Sequence, residues 1–414
     1  MSELCYPKTA RLLSAEDALL NICNAVQAIT ESESVKLPLA LGRVLAQTVT
    51  SPIDIPPQRN AAMDGYAFSS SDIVQNQTFT LKMIGTSWAG KPFATAAGTR
   101  TCVRIFTGAV VPDFADSVIA QEQVGADGEQ ITFPNGTSPF KNIREAGSDV
   151  KKHEWLIASP KTLNARDVGL LAAAGIEEVP VYRQLKIGFF STGDELVAIG
   201  LPLQAGQIYD SNRYLLAGLL KDDKHLITDL GVIKDDPQLL EQTLNQAAET
   251  FDVLISTGGA SVGEADFVQK TLEKCGQVNF WKLAIKPGKP LAFGKIGKCW
   301  FFGLPGNPVA VLVTYEQFVK PALLQLAGAP STSALRFQAR CESILRKSPG
   351  RQEYQRGILG RNAAGEFIVK PAGQQDSHQL KVASLANCFI LLDNDCAGVE
   401  AGQMVTVEPF ENRI

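Results

Sequence analysis

The spacing of hydrophobic positions changes along this chain, and each change predicts a different kind of structure. From Ser14 to Ile29 the apolar residues fall at helical intervals. Ala18, Leu19, Ile22, Val26 and Ile29 share one face, with Ser14 placed as a cap and Asp17 in the first turn. The stretch VKLPLALGRVLAQTVTSP is mixed, and its apolar spacing predicts a short helix around Leu41 to Ala46. IDIPPQRNAAMDGYAF then reads as a rigid surface loop, with Asp64 before Gly65 and Tyr66. From Thr78 to Phe133 the period drops to two in short runs broken by Gly and Pro, which predicts a small inserted β domain. NARDVGLLAAAG is helical, with Asn164 as cap and Gly175 as stop. IEEVPVYR reads as a strand or linker, with a domain boundary near residue 183.

From Leu185 onward strands and helices alternate. A strand Leu185 to Phe190 runs into Ser191, Thr192 and Gly193. A helix follows, capped by Asp210 or Ser211. HLITDLGVI is a strand, KDDPQLLEQTLNQAAET a helix with Pro237 in its first turn, and FDVLIS a strand. A helix from near Glu264 to Cys275 follows, and another starts at Pro308 with Asn307 as its cap. Such alternation predicts a parallel sheet covered on both faces. After residue 332 the pattern is again that of strands. The expected fold is multidomain α/β and β. It has a central doubly wound, mostly parallel sheet with helices on both faces, an inserted small β domain and a C-terminal β-barrel-like domain. The expected boundaries are 1–54 with 142–183 (a discontinuous N-terminal α/β domain), 55–141 (inserted β), 184–332 (central α/β) and 333–414 (C-terminal β).

Composition narrows the function. A chain of 414 residues is too long for one core, and 45% hydrophobic with 20% charged residues is a soluble globular balance. The net charge of −4 supplies no basic stripe for nucleic acid. No apolar run reaches membrane length; FFGLPGNPVAVLV comes nearest and is broken by Pro305, Asn307 and Pro308. The opening MSELCYPKTA lacks the pattern of a signal peptide, and the 8 cysteines form no C-x-x-C pair, so reduced thiols in a cytoplasm are expected. With only 3 histidines, any metal is expected to be a hard cation on carboxylates and phosphates, such as magnesium.

The candidate chemistry concentrates in residues 251–308. FDVLIS leads into Thr257, Gly258, Gly259, Ala260, Ser261, Val262 and Gly263, then a helix start. Strand, glycine turn and helix N-terminus in that order make an anion site, because glycines let backbone N–H groups approach a ligand. Lys282, Lys286 and Lys289 follow, and GLPGNP presents a further helix start. Asp194, Glu195, Asp235 and Asp266 all fall at or after strand ends. Each alone reads as a helix cap. Together, at the carboxyl edge of a parallel sheet, they suit magnesium and phosphates better. The turn at Thr107 and Gly108 is a weaker anion candidate, and Asp64 reads first as a turn cap. Neither G-x-G-x-x-G after the first strand nor a P-loop motif occurs, which disfavours dinucleotide and P-loop enzymes.

NAAMDGYA, RIFTGAVVP, FSTGDEL, IYDSNR, IKDDP, STGGASVGEADF, FWKLAIKPGKP, GLPGNP and the closing β segment together resemble the molybdopterin molybdotransferase family, which is related to the C-terminal domain of gephyrin. Ala260 stands where that family usually has valine and Ala61 where serine is common, and Thr78 to Ala97 matches loosely. The resemblance implies an elongated cytoplasmic homodimer that acts on small molecules. Its cleft would lie between the central domain of one subunit and the inserted domain of the other. The implied reaction takes adenylylated molybdopterin, molybdate and Mg2+, releases AMP and places molybdenum on the dithiolene. By the same resemblance Glu195, Asp235 and Asp266 would hold magnesium. Lys282 and Lys286 would hold phosphate or molybdate, and Asp64 and Thr107 would come from the second subunit. Thr192, Gly193, Gly258, Gly259, Ser261, Gly263, Pro305, Gly306, Asn307, Pro308 and Asp149 would line the substrate. The adenylyltransferase of the pathway and cofactor-accepting molybdoenzymes are the implied partners; no nucleic acid or membrane is. Two alternatives are the sister-type molybdopterin adenylyltransferase, which shares the central fold, and a non-catalytic pterin-binding scaffold.

Overall fold

Ser14 caps the first helix, α1 (Ala15–Ala25), by accepting the backbone N–H of Asp17 at 3.0 Å. The helix stops at Ala25 and the chain continues extended, so Ile29 lies beyond it. Ala18, Ile22 and Val26 share a buried cluster with Leu185, Phe302 and Leu326. The helix therefore covers the central sheet rather than the small sheet that follows it in sequence. The computed structural model describes residues 12–96, 98–222, 224–234, 236–258, 267–330 and 333–410.

That small sheet has the order Ser32–Lys36, Glu178–Tyr182, Val44–Leu45, Lys161–Thr162. The helix expected around Leu41 to Ala46 is absent. A single 3-10 turn, Leu37–Leu39, precedes Gly42 at φ +76°, and Val44 and Leu45 pair with Thr162 and Lys161. Strand pairing overrides the local apolar spacing there. α2 (Ala165–Ala173) forms as its sequence predicts. Asn164 and Asp167 make a reciprocal capping box, and Gly175 follows at φ +74°.

The predicted inserted β region folds as a six-stranded sheet. Its order is Ser117–Ala120, Gly65–Phe68, Thr101–Ile105, Phe79–Ser87, Gln130–Phe133, Gly125–Asp127. Gly65 sits so close to its neighbour strand that a Cβ there would lie 1.8 Å from the Ile119 carbonyl oxygen.

The central sheet comprises β1 (Leu185–Thr192), β2 (His225–Ile233), β3 (Val253–Thr257), β4 (Gln277–Lys282), β5 (Pro290–Ile296) and β6 (Cys299–Leu304), in the order β2-β1-β3-β6-β5-β4. The first four in that order are parallel; β5 runs against β6, and β4 against β5. Alternation along each strand feeds two cores. Ile187, Phe189, Ile255 and Phe302 point to one face with α1 and α3 (Asn212–Leu220). Phe190, Leu254 and Phe301 point to the other with α4 (Pro237–Thr250) and α5 (Phe267–Cys275). Both faces are apolar, as a sheet covered on both sides requires. Burial of each such Leu, Ile or Phe side chain contributes about 1.5–3 kcal/mol. α6 (Pro308–Thr314) continues through a π-helical turn at Tyr315–Val319 into Lys320–Leu326. Pro321, which has no N–H to donate, lies just past that turn.

The C-terminal strands Gln352–Arg361, Phe367–Pro371, Phe337–Cys341, Met404–Pro409 and Cys388–Leu392 close into a five-stranded barrel, because the first also pairs with the last. A short strand from the central region, Ile285–Lys286, adds to this barrel beside Gln352 and Glu353. Among the described residues no helix is long and apolar enough to cross a membrane, and the seven described cysteines are free.

Candidate active site

Strand register brings the candidate turns together. Thr192 at the end of β1 pairs with Ile233 at the end of β2, Ser191 with Thr257 at the end of β3, and Thr257 with Leu304 at the end of β6. Antiparallel β5 begins at Pro290, opposite Lys282 at the end of β4. Every strand thus meets the same carboxyl edge with the residues that carry chemistry. Thr192, Gly193, Glu195, Gly258, Lys282, Lys286, Pro305, Gly306, Asn307 and Pro308 all lie at the turns on this edge. Gly259, Ser261, Gly263, Asp235 and Asp266 fall outside the described residues.

The turns are packed against one another. Gly258 has φ +86°, and a Cβ on it would lie 2.5 Å from the backbone oxygen of Thr192. Its N–H donates to the Leu304 carbonyl at 3.2 Å. Gly193, at φ +146°, lies under the Glu195 carboxylate, where a Cβ would sit 2.6 Å from Oε2. Beneath them Ser191 Oγ and Thr257 Oγ1 are 2.9 Å apart, and Ser191 Oγ also donates to Asp210 Oδ1 at 3.1 Å. Glu195 is exposed. Asp236, next to Asp235, caps α4 by accepting the N–H groups of Gln238 and Leu239 at 2.8 and 3.0 Å.

Lys282 and Lys286 are both exposed, but they are held differently. The backbone after Lys282 is stitched to the start of the chain. Leu13 N–H donates to the Lys282 carbonyl at 2.9 Å, and Ala284 N–H donates to the Leu13 carbonyl at 2.7 Å. Lys286 Nζ donates to Glu353 Oε1 at 3.1 Å, and Glu353 is buried in the barrel, where Gln355 Nε2 donates to its other oxygen at 2.9 Å. At the last turn, Asn307 precedes α6 but its side chain makes no capping bond. Instead the Val309 N–H donates to the Ser377 carbonyl of the C-terminal region at 3.2 Å.

The barrel contributes residues that the sequence reading missed. Arg356 is buried, and its guanidinium donates to the carbonyls of Asp376 at 3.1 Å and Tyr354 at 3.4 Å. It thereby pins the loop that carries Ser377. Burial pulls its pKa down to about 10, against the opposing pull of Asp376 and Glu353. In sequence an Arg in an alternating strand reads as outward-facing; the one signal was the polar cluster QEYQR within a β run.

Asp64 and Thr107 form a clamp on the inserted sheet. Asp64 Oδ1 accepts both the N–H and the hydroxyl of Thr107 at 2.8 Å. These bonds, the backbone one first, hold the Asp64 carboxyl below the ordinary carboxylate range. The aspartate is thus a turn cap, as its sequence context suggests, but one that ties two motif-bearing turns together. Asp149 is exposed, and its N–H donates to the Ile55 carbonyl at 2.9 Å. A cavity of 760 Å³ lined by Arg183, Lys186, Glu249, Asp252 and Lys298 lies at the opposite, amino edge of the central sheet and includes none of these residues.

Comparison with known proteins agrees along the chain. Residues 13–175 match the MoeA N-terminal region (domain I and II), 188–325 the "Probable molybdopterin binding domain", and 338–410 the MoeA C-terminal region (domain IV). A molybdopterin molybdenumtransferase of Haemophilus influenzae is 44% identical over 97% of this chain and 99% of its own. One from Nostoc is 34% identical over 97% and 94%. The crystal structure of a molybdopterin biosynthesis moeA protein from Pyrococcus horikoshii superposes with a TM-score of 0.83 at 28% identity, covering 97% of this chain and 100% of that one.

Proposed function

The chain belongs to the molybdopterin molybdenumtransferase family and is a transferase of molybdenum cofactor biosynthesis; on that premise we propose that it consumes adenylylated molybdopterin and molybdate, with magnesium, and releases AMP. In this reading an oxygen of molybdate or water attacks the adenylyl phosphorus. The phosphoanhydride bond breaks and AMP leaves with the new oxygen. Molybdenum passes to the dithiolene sulfurs as molybdate loses one oxygen, to AMP where molybdate is the attacker or as water with the two thiol protons where water is; in the first case those protons go to solvent.

The observation that carries this reading is the carboxyl edge, where glycine turns, Lys282 and Lys286 meet. Breaking a phosphoanhydride spreads negative charge over oxygens, and fixed cations with backbone N–H donors stabilise it without reorganising. Lys282 and Lys286 would hold phosphate or molybdate. The 258–263 turn would supply backbone donors, and Thr192, Gly193 and the Pro305–Pro308 turn would shape the walls.

Glu195, Asp235 and Asp266 are the proposed magnesium ligands. Among the described residues no group of three or more His, Cys, Asp or Glu side chains is gathered for a metal, and Glu195 is the one of the three that is described. Its exposed carboxylate at the carboxyl edge is the oxygen donor that a hard cation takes. Bound there, magnesium would offset charge on the phosphate oxygens.

We read the assembly as a homodimer in which Asp64 and Thr107 of one subunit complete the cleft of the other, with Asp149 among the residues that line the substrate. The Asp64–Thr107 clamp is bonded within its own sheet. The edge strand β2 leaves Leu226 and Ile227 51% and 37% exposed, a surface suited to burial in an interface. A cytoplasmic location, the four-part domain division given above, and a place between an adenylyltransferase and the molybdoenzymes that accept the cofactor belong to the same reading.

The test is to incubate the purified protein with adenylylated molybdopterin, magnesium and molybdate, and to measure AMP and active cofactor. Molybdate-stimulated AMP release is expected. Its absence would sink the reading, and ATP-dependent adenylylation would favour the sister activity.

A further inference from the structure

Residues 210–213 knit the carboxyl edge together while leaving polar atoms unused. Asp210, only 2% exposed, accepts the Ser191 hydroxyl at 3.1 Å and the Arg213 N–H at 3.2 Å through Oδ1. Ser191 passes the link to Thr257. Asn212 Nδ2 donates to the Gly306 carbonyl at 2.7 Å. The Arg213 guanidinium reaches Asp229 Oδ1 on β2 at 3.4 Å. One short segment thus touches the end of β1, the middle of β2 and the turn after β6, and reaches the end of β3 through Ser191.

Against that, Asp210 Oδ2, Asn212 Oδ1 and Arg213 Nε are buried and have no hydrogen-bond partner. Arg213 Nε lies 3.3 Å from Asp210 Oδ2, an ion pair without hydrogen-bond alignment. Those two answer each other. Asn212 Oδ1, at the N-terminus of α3 and beside the glycine turns, has no partner of either kind, and a buried polar atom left so is better explained by a ligand than by packing. Because Asn212 must turn its nitrogen to the Gly306 carbonyl, the atom it offers is an acceptor.

We propose that Asn212 is a substrate-binding residue whose Oδ1 accepts a hydrogen bond from a hydroxyl or amino group of the substrate, with the Gly306 carbonyl holding the amide in that orientation. The proposal rests on the functional reading above, since an adenylylated pterin carries such donors on both its halves.

The experiment measures equilibrium binding of AMP and, separately, of molybdopterin to the wild type and to Asn212→Ala, with thermal unfolding alongside. Loss of one neutral hydrogen bond predicts a Kd raised about threefold to tenfold for one of the two ligands. A loss confined to AMP places the donor on the nucleotide, and one confined to molybdopterin places it on the pterin. Asn212→Asp, of nearly the same volume, covers the case in which the alanine variant does not fold. It sets an anion against an anionic ligand and should weaken binding at least as much. Unchanged affinity for both ligands in the folded variant, even with a lower Tm, overturns the proposal and leaves Asn212 as a strut for the Gly306 turn. Binding needs no turnover, so this result is separate from whether the wild type releases AMP with molybdate.

Discussion

Lys286 reaches the candidate site from the central sheet, but its ammonium is anchored 3.1 Å from Glu353, a buried carboxylate of the C-terminal barrel. Glu353→Gln keeps the volume and removes the charge. Lys286 is 47% exposed, so solvent screening makes the ion pair itself a small term in stability. We expect an unfolding midpoint within a few degrees of wild type and a several-fold higher KM for adenylylated substrate. Glu353→Ala should cost more, about 1–3 kcal/mol, because it empties a buried site and strips Gln355 of an acceptor. Urea unfolding and steady-state kinetics of both variants check this; an unchanged KM in both would show that the anchor does not position the lysine.

Gly258→Ala tests the packing of the turns. The substitution meets a φ of +86° and a backbone oxygen at 2.5 Å. The left-handed conformation alone costs about 1–2 kcal/mol, and the clash forces Thr192 or the turn to move. Turnover should fall far more than stability. Molybdate-stimulated AMP release within twofold of wild type would contradict the prediction.

The Asp64–Thr107 clamp has a pH signature. Hydrogen bonds from Thr107 lower the Asp64 pKa from its ordinary 3.8, so the carboxylate should stay ionised, and the clamp closed, into mildly acid solution. The sign follows from the lowered value. Any stability the clamp contributes is present above the unfolded pKa and is lost as pH falls through the folded one. Thr107→Val removes the hydroxyl donor and should move the Asp64 midpoint upward, read by carbon NMR of the carboxyl group. A midpoint unmoved in Thr107→Val would remove the hydroxyl from the explanation.

Magnesium removal separates catalysis from folding. Chelation should abolish AMP release while leaving the thermal midpoint nearly unchanged, and Asp266→Asn should do the same with the fold and the proposed dimer intact. Loss of folding in Asp266→Asn would instead mark that residue as a structural cap.

What could be read from the sequence follows from which interactions are local. The Asn164 cap and the Pro237 helix start are set within a few residues, and both are legible. The two-sided sheet is legible because its strands are apolar on both faces. The Leu41–Ala46 helix fails because Val44 and Leu45 are claimed by strands distant in sequence. The Asn307 cap fails in its side chain because the C-terminal region supplies the acceptor at the helix start. The Glu353 anchor, Arg356 and the Asn212–Gly306 bond were not legible for the same reason. Each joins segments far apart in the chain, and no spacing rule reports such a pair.

The stitch between Leu13 and the Lys282–Ala284 backbone bears on how the molecule is made. Leu13 and α1 leave the ribosome before every strand of the sheet they cover. Their apolar face must wait, shielded or loosely collapsed, until residues near 284 have emerged. The lysine segment is therefore completed by residues synthesised long before it, and its backbone is not finished until both partners of the stitch are in place.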